Sequence, residues 1–236
     1  MQVDVERYIR DGFLRFDRLV DAGDLAALRD VYDRLLCGAI EAPTDRKLGG
    51  ITRQIMNVWQ YDAVFRENSA FRAGCEIARA ILGVDEPEPV FDMLIYKEPG
   101  QLATTPWHQD FAYAVMPFTP AGRPTPWRSF AQFWVALDDV DEENGCMHFV
   151  PGVHRQPLKA HHVASGAPDY EGRLLAIDDP ARDMDLATVV ACPLPAGGAT
   201  VHSYGTPHFT PGNRTIDRPR RAYIFNFARS GRQQAG

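Results

Sequence analysis

PVFDMLIYKEP, residues 89–99, is where the chain changes character. Val, Phe, Ile and Tyr crowd into a short run that Pro99-Gly100 closes, the pattern of a strand ending in a turn. Further such runs lie downstream: SFAQFWVALDDV (129–140), CMHFVPG (146–152) after the Glu143-Asn144-Gly145 turn, ATVHSY (199–204) and RAYIFNFAR (221–229). Short strands separated by Gly/Pro turns predict a sandwich or barrel. Two polar stretches interrupt them. One is 111–128, with Pro117, Pro120, Pro124 and Pro126; the other is 153–190. Connections that long in a compact domain serve as lids or substrate walls.

Upstream the pattern is helical. DVERYIRDGFLRF (4–16) has apolar residues near helical spacing until Gly12 breaks it. Asp24 is placed to cap a second helix, DLAALRDVYDRLLCGAI, whose Leu25, Leu28, Tyr32, Leu35 and Leu36 share one face. A third, DAVFRENSAFRAGCEIARAILG (62–83), ends at Gly83. We find no repeat, low-complexity tract or linker. The expectation is one domain, 1–236, mainly β in an α+β sense: 1–85 as mainly helical support and 86–236 as the β core.

Composition narrows the function classes. Hydrophobic residues make up 45% of the 236 and charged residues 24%, enough for a sizeable core. No apolar run is long enough to span a bilayer, and the opening MQVDVERYIRDGF has no apolar signal core. Cys37, Cys75, Cys146 and Cys192 form no CxxC, so buried thiols are expected rather than disulfides or a zinc site, with the cytoplasm as compartment. A net charge of −6 argues against nucleic acid as partner. The single strongly basic run, RPRR (218–221), fits a strand end or a carboxylate anchor.

WHQD, residues 107–110, carries the chemistry. On a strand, alternate side chains share a face, so His108 and Asp110 would project together. A third ligand from a distant strand completes a facial triad and leaves three metal positions open. One HxD is expected on the order of once by chance in such a chain, so context must carry it. His208 lies in TPHFTPGNRT, and Arg220 follows twelve residues later. A guanidinium grips a carboxylate through two parallel hydrogen bonds. An iron site with such an arginine on the next strand suits a 2-oxo dicarboxylate, chelated at one end and anchored at the other.

Over nearly its whole length the chain resembles the phytanoyl-CoA dioxygenase-like (PhyH) oxygenases. The resemblance runs through YIRDGFLRFDRLVD, LIYKEPG, PWHQDFAY, FWVALDDVDEENGCMHFVPGVHR and HFTPGNRTIDRPRRA. It implies a double-stranded β-helix (a cupin-like jelly roll) with flanking helices, and a non-haem Fe(II)/2-oxoglutarate-dependent dioxygenase using O2. It implies His108, Asp110 and His208 as iron ligands and Arg220 as the 2-oxoglutarate anchor. Thr210 would assist that anchor, Lys97 would approach the cosubstrate, and Trp134 would line the same pocket. Lys97 as a solvated strand end and Trp134 as core remain open. The retained Asp110 argues against a halogenase, which vacates that position for halide.

Two departures stand out. The stretch from His208 to Arg220 is one residue longer than the plain family pattern, leaving Arg218 and Arg221 as competitors for the anchor. A regular strand would turn Arg218 and Arg220 one way and Arg221 the other, favouring Arg220. The loop after Asp110 is also long, which leaves substrate class open. His202 competes with His208 for the distal ligand. It sits where the family usually has an aromatic or apolar strand residue, and the Thr206-Pro207 and Asn213 context favours His208. His148 is expected in the core or pocket wall, His154 in a structural turn, and His161 and His162 in a solvated loop. The acidic group Asp138, Asp139, Asp141, Glu142 and Glu143 lacks calcium-site spacing and is expected as a solvated turn.

The acidic balance and the loop's aromatic and apolar side chains (Phe111, Tyr113, Met116, Phe118, Trp127) favour a small or mid-sized organic substrate over a coenzyme A thioester, though these side chains could equally be core. Hydroxylation or another C–H oxidation in bacterial secondary metabolism is the expected role. Cyclisation, desaturation, epimerisation and acyl-CoA hydroxylation are alternatives. So are a 2-oxoglutarate-independent cupin enzyme and a non-catalytic jelly-roll binding protein.

Overall fold

The computed structural model describes residues 2–48, 52–115, 121–164 and 174–229. The N-terminal part holds α1 (Val5–Asp11), β1 (Phe13–Phe16), α2 (Ala22–Leu36), β2 (Asp45–Leu48), β3 (Thr52–Met56) and α3 (Ser69–Leu82). Then come β4 (Pro87–Lys97), β5 (Thr105–His108), α4 (Asp110–Val115), β6 (Phe130–Ala136) and β7 (Met147–Phe149). The chain closes with β8 (His161–Val163), β9 (Leu175–Ile177), α5 (Pro180–Asp183), β10 (Val190–Cys192), β11 (Ala199–Ser203), β12 (His208–Thr210) and β13 (Arg220–Arg229).

Among the described residues, seven strands form a large sheet in the order β1-β11-β6-β13-β4-β3-β2, and four form a small one, β10-β7-β12-β5. Their pairings are antiparallel, as in β6–β13 and β12–β5. From β1 to β4 across the large sheet, neighbours in space are distant in sequence, and the two sheets close on each other as a double-stranded β-helix. β8 and β9 form a separate ribbon.

The large sheet is buried on both faces, so its strands are nearly continuous apolar runs. Alternation still sorts the side chains. Phe133, Val135, Val201, Tyr223, Phe225 and Phe227 join one core with residues of the three N-terminal helices. Trp134, Ala136, Ala222 and Ile224 point the other way, into a second core with Met147 and Phe149 of the small sheet. α3 lies close on the outer layer at Gly74, where a Cβ would stand 2.6 Å from the Phe225 ring.

Helix ends follow capping chemistry. Gly12 ends α1 in the left-handed region (φ 86°), donating its N–H to Tyr8 O. The chain then enters β1, so Phe13–Phe16, expected as helix, is a strand paired with β11. α2 starts before the expected cap: Asp21 accepts from the backbone N of Asp24 at 2.9 Å. Asp24 instead accepts from the backbone N of Ser69 at 2.6 Å, tying α2 to the start of α3. That third helix opens at the Asn68 cap, and residues 63–65 form a separate 3-10 turn. The cysteines are free thiols; Cys146 and Cys192 are buried, but Cys37 is exposed. Among the described residues no helix is long and apolar enough to cross a membrane.

Candidate metal centre

The end of β5, the start of α4 and the start of β12 converge. His108 and His208 are register partners in the small sheet, and their ring centroids are 4.1 Å apart. Asp110 is not on the strand: β5 stops at His108 and Asp110 opens α4. The expected alternation is therefore replaced by a strand-to-helix turn, which aims the carboxylate at both imidazoles. Asp110 Oδ1 lies 3.7 Å from Nε2 of His108 and 3.7 Å from Nε2 of His208. One ligand atom from each of the three residues lies within 4.8 Å of the others.

Hydrogen bonds orient each ligand. His108 Nδ1 is 2.8 Å from Pro106 O, and His208 Nδ1 is 3.0 Å from Thr206 O. Nδ1 must then carry the proton, leaving both Nε2 lone pairs toward the shared centre. Burial lowers the pKa of both rings, His208 the more. Neutral imidazoles are what a metal needs. Asp110 sits well below the usual carboxylate range: burial raises it, but His208, His202 and His108 together outweigh that. Its other oxygen, Oδ2, accepts from Gln132 and His202 at 2.8 and 3.0 Å. His202 is thus a neighbour of the triad and not part of it.

The turn between the ligands is held by buried Gln109. Its side chain donates to Gly205 O at 2.7 Å and accepts from the backbone N of Lys159 at 2.9 Å. Its own N–H donates to His161 Nε2 at 3.2 Å. His161, expected in a solvated loop, is instead a partly buried strut whose pKa burial pushes down to about 4. His162 is exposed and pairs with Asp178 at 2.8 Å. His148 lies on the outer face of the small sheet, edge-on to Phe209. His154 is buried in its turn, edge-on to Trp127.

Arg220 opens β13 opposite Lys97 and is 1% exposed. Its guanidinium lies over the Trp134 ring, 5.4 Å from the centroid. Nε and Nη1 are buried with no hydrogen-bond partner. Burial pushes its pKa down to about 10. The two competitors are engaged elsewhere. Arg218 precedes the strand and bonds Asp141 and Glu143, the nearest contact being 2.7 Å. Arg221 bonds Asp138 and Asp33 at 2.6 and 2.8 Å. The acidic turn, expected to be merely solvated, thus ties up both neighbours of Arg220. Lys97 is fully buried, not a solvated strand end; its Nζ donates to Thr210 Oγ1 at 2.9 Å and Pro211 O at 2.6 Å. Burial and the charge of Arg220 push the Lys97 pKa down to about 6.

A cavity of about 480 Å³ joins these groups. His108, Asp110, His208, Thr210, Trp134 and Arg220 line one part of it. Met56, Phe91, Met93, Tyr113, Tyr204, Leu174 and Leu175 line the rest, with Arg46 and Gln54 from β2 and β3 as further polar groups. Of these loop side chains, Tyr113 lines the cavity, Phe111 and Trp127 pack into cores, and Met116 and Phe118 lie outside the described residues.

The family model for phytanoyl-CoA dioxygenase matches residues 8–222. This chain belongs to the phytanoyl-CoA dioxygenase (PhyH) family. That family uses Fe(II), 2-oxoglutarate and O2 and consists of non-haem dioxygenases. The phytanoyl-CoA dioxygenase domain-containing protein 1 of Bos taurus is 31% identical over 169 residues, 70% of this chain and 53% of that protein. The chain spans about half the length of the curated relatives it matches. EvdO2 from Micromonospora carbonacea var. aurantiaca, solved with 2-oxoglutarate, is 33% identical with a TM-score of 0.74, over 95% of this chain and 89% of that one. The epimerase SnoN, solved with Fe3+, alpha ketoglutarate and nogalamycin RO, is 26% identical with a TM-score of 0.69, over 95% and 81%.

The donor set fits the PhyH cofactors: two neutral imidazoles and a carboxylate for iron, and a buried, unpartnered guanidinium for a carboxylate of the cosubstrate. Sequence reasoning did not find Gln132, Gln109 or the strut role of His161. The available signal was polarity on apolar strands: Gln132 interrupts FAQFWVA, a run otherwise free of polar groups.

Proposed function

We propose that this protein is an Fe(II)- and 2-oxoglutarate-dependent oxygenase that oxidises a C–H bond of a small or mid-sized organic molecule. One observation carries the reading. A His-Asp-His cluster and a buried guanidinium with two unpartnered nitrogens share a single cavity. A 2-oxoglutarate-independent enzyme or a plain binding protein would have no use for Arg220. A buried unpaired cation costs free energy unless its anion arrives with the cosubstrate.

In this reading His108, Asp110 and His208 hold iron. Arg220 takes the distal carboxylate of 2-oxoglutarate, with Trp134 against the guanidinium face. Lys97 holds Thr210 Oγ1 beside that carboxylate and leaves the hydroxyl proton free to donate. Bound iron with 2-oxoglutarate and O2 supplies an oxidant that removes a hydrogen atom from an otherwise unreactive C–H bond. The chain's own part is positioning and exclusion of water. Tyr113 meets His108 edge-on, centroids 5.6 Å apart, and its hydroxyl accepts from Leu175 N at 3.1 Å, which fixes the ring as a wall beside the centre.

Among the described residues the remaining wall is mostly apolar, with Arg46 as a further cation and Gln54 as a further amide. That suits an organic molecule with a polar group at one end and offers little to the several phosphates of coenzyme A. A tailoring step in bacterial secondary metabolism draws support from the similarity to SnoN, an epimerase from nogalamycin biosynthesis. The SnoN likeness also favours epimerisation as a second outcome after hydrogen abstraction. We read 1–236 as one oxygenase domain acting in the cytoplasm on a small molecule.

The test is a coupled assay with Fe(II), 2-oxoglutarate and O2 over a panel of aromatic and glycosidic metabolites. Succinate should rise with a matching substrate, alongside a product changed by one oxygen, by loss of two hydrogens, or, with an added reductant such as ascorbate supplying two electrons, in configuration at unchanged mass. Asp110→Ala should abolish it; wild-type coupled turnover in that variant would sink the triad assignment.

A further inference from the structure

We infer that His202 and Gln132 are positioning residues that restrict Asp110 to one metal-binding oxygen. The inference rests on the metal-binding reading of the triad. Three adjacent strands of the large sheet, β11, β6 and β13, bring His202, Gln132 and Asn226 into one row by register. All three are buried. Their neighbours on the same inward face are Trp134, Ala136, Ala222 and Ile224. A polar row in such a place is costly unless its groups are partnered.

The partner is Asp110. Its Oδ2 accepts from Gln132 Nε2 at 2.8 Å and from His202 Nε2 at 3.0 Å. The bonds behind the row fix each donor. Asn226 donates to Gln132 Oε1 at 3.3 Å, which keeps the Gln132 NH2 turned to Asp110. The same Asn226 amide donates to Tyr204 OH at 2.7 Å, and Tyr204 stacks on Phe130. His202 is packed between Phe149 and His208, with centroids 5.3 and 4.5 Å away. Its Nδ1 is buried without a partner, so the bond to Asp110 is the one that the ring makes.

Two donors fill the in-plane acceptor positions of Oδ2. Oδ1, equidistant from the two histidine Nε2 atoms, is then the oxygen left for a metal. A carboxylate free to rotate could chelate through both oxygens and occupy a fourth position. Held this way, Asp110 contributes one, and three positions stay open for a bidentate 2-oxo acid and O2. The sheet register thus sets how many ligand sites the centre keeps.

The test uses Co(II), whose visible spectrum reports coordination, titrated anaerobically into the metal-free protein. His202→Phe keeps a ring and removes the donor; Gln132→Leu does the same at the other bond. Each should weaken Co(II) binding about 10-fold or more and change the Co(II) visible bands. His202→Gln restores an N–H donor and should recover most of the affinity and the native spectrum. If His202→Phe fails to fold, Gln132→Leu reads the same carboxylate oxygen. Wild-type affinity and spectrum in both donor-deleted variants would overturn the inference, as would a His202→Gln variant no better than His202→Phe. Failure of the wild-type chain to bind Co(II) would overturn the metal-site reading itself.

Discussion

Replacing Arg220 should move stability and cosubstrate binding in opposite directions. Its Nε and Nη1 are buried and bond no other group of the protein. Each such atom costs about 1–3 kcal/mol, and more when charged. The cation–π contact with Trp134 returns about 1–2 kcal/mol of that. Arg220→Met fills similar space without charge, so the apo-protein should gain roughly 1–4 kcal/mol. For a chain of this size that is a Tm rise of about 2–8 °C. The same change removes a bidentate, charge-assisted pair with the 2-oxoglutarate carboxylate, worth about 2–5 kcal/mol, or on the order of 30- to 5000-fold in affinity. Thermal unfolding of the Mn(II)-loaded protein across a 2-oxoglutarate series reads both effects. Wild type should start lower and climb with ligand, while Arg220→Met should start higher and stay flat. A variant with a lowered apo Tm that still responds at wild-type concentrations would refute the reasoning. So would a lost response in Arg218→Ala, whose guanidinium already bonds Asp141 and Glu143.

Other expectations follow from the same geometry. Lys97 has a folded pKa near 6, against 10.5 for the free side chain. Between those values the unfolded chain binds the extra proton, so this group makes stability rise with pH by up to about 1.4 kcal/mol per unit, and the contribution is lost as pH falls toward 6. Denaturant unfolding of wild type and Lys97→Met at pH 7 and 9 should show that slope in the wild type alone; equal slopes would reject it. Gly74→Ala adds a Cβ at 2.6 Å from Phe225 and should lower stability by about 1–2 kcal/mol despite better helix propensity, measurable as a reduced denaturation midpoint. His161→Ala removes the acceptor of the Gln109 N–H and should weaken Fe(II) binding several-fold in an anaerobic titration, whereas His162→Ala, on the exposed pair with Asp178, should leave it unchanged.

Much of this was legible in the residues because both faces of the large sheet are buried. Runs such as FWVA and YIFNF announce themselves as strands, and their alternation sorts helix-facing from cavity-facing positions. β1 and β2 were not legible. Each has four residues, and DRKL carries three charges, so their strand state comes from pairing with β11 and β3. Asp21 and Asp24 are both capping residues three apart, and only the tertiary contact with Ser69 separates their roles. At the site, His108, Asp110, His208 and Arg220 were named from motifs, yet for partly wrong geometric reasons. Asp110 turns toward the histidines through a helix start, and Arg218 never joins the strand. Arg220 is left as the unpaired cation by carboxylates at 33, 138, 141 and 143, pairings that span up to 188 residues. No local pattern in a sequence carries such pairings.

The most direct measurement is the visible absorption of the anaerobic Fe(II) protein on adding 2-oxoglutarate, which reports chelation of the 2-oxo acid by bound iron. A charge-transfer band is expected that needs both components, saturates at one of each per chain, and is absent from His208→Ala but retained in His148→Ala; the metal-site assignment stands on it. No band in the wild-type protein, or an undiminished band in His208→Ala, would contradict it.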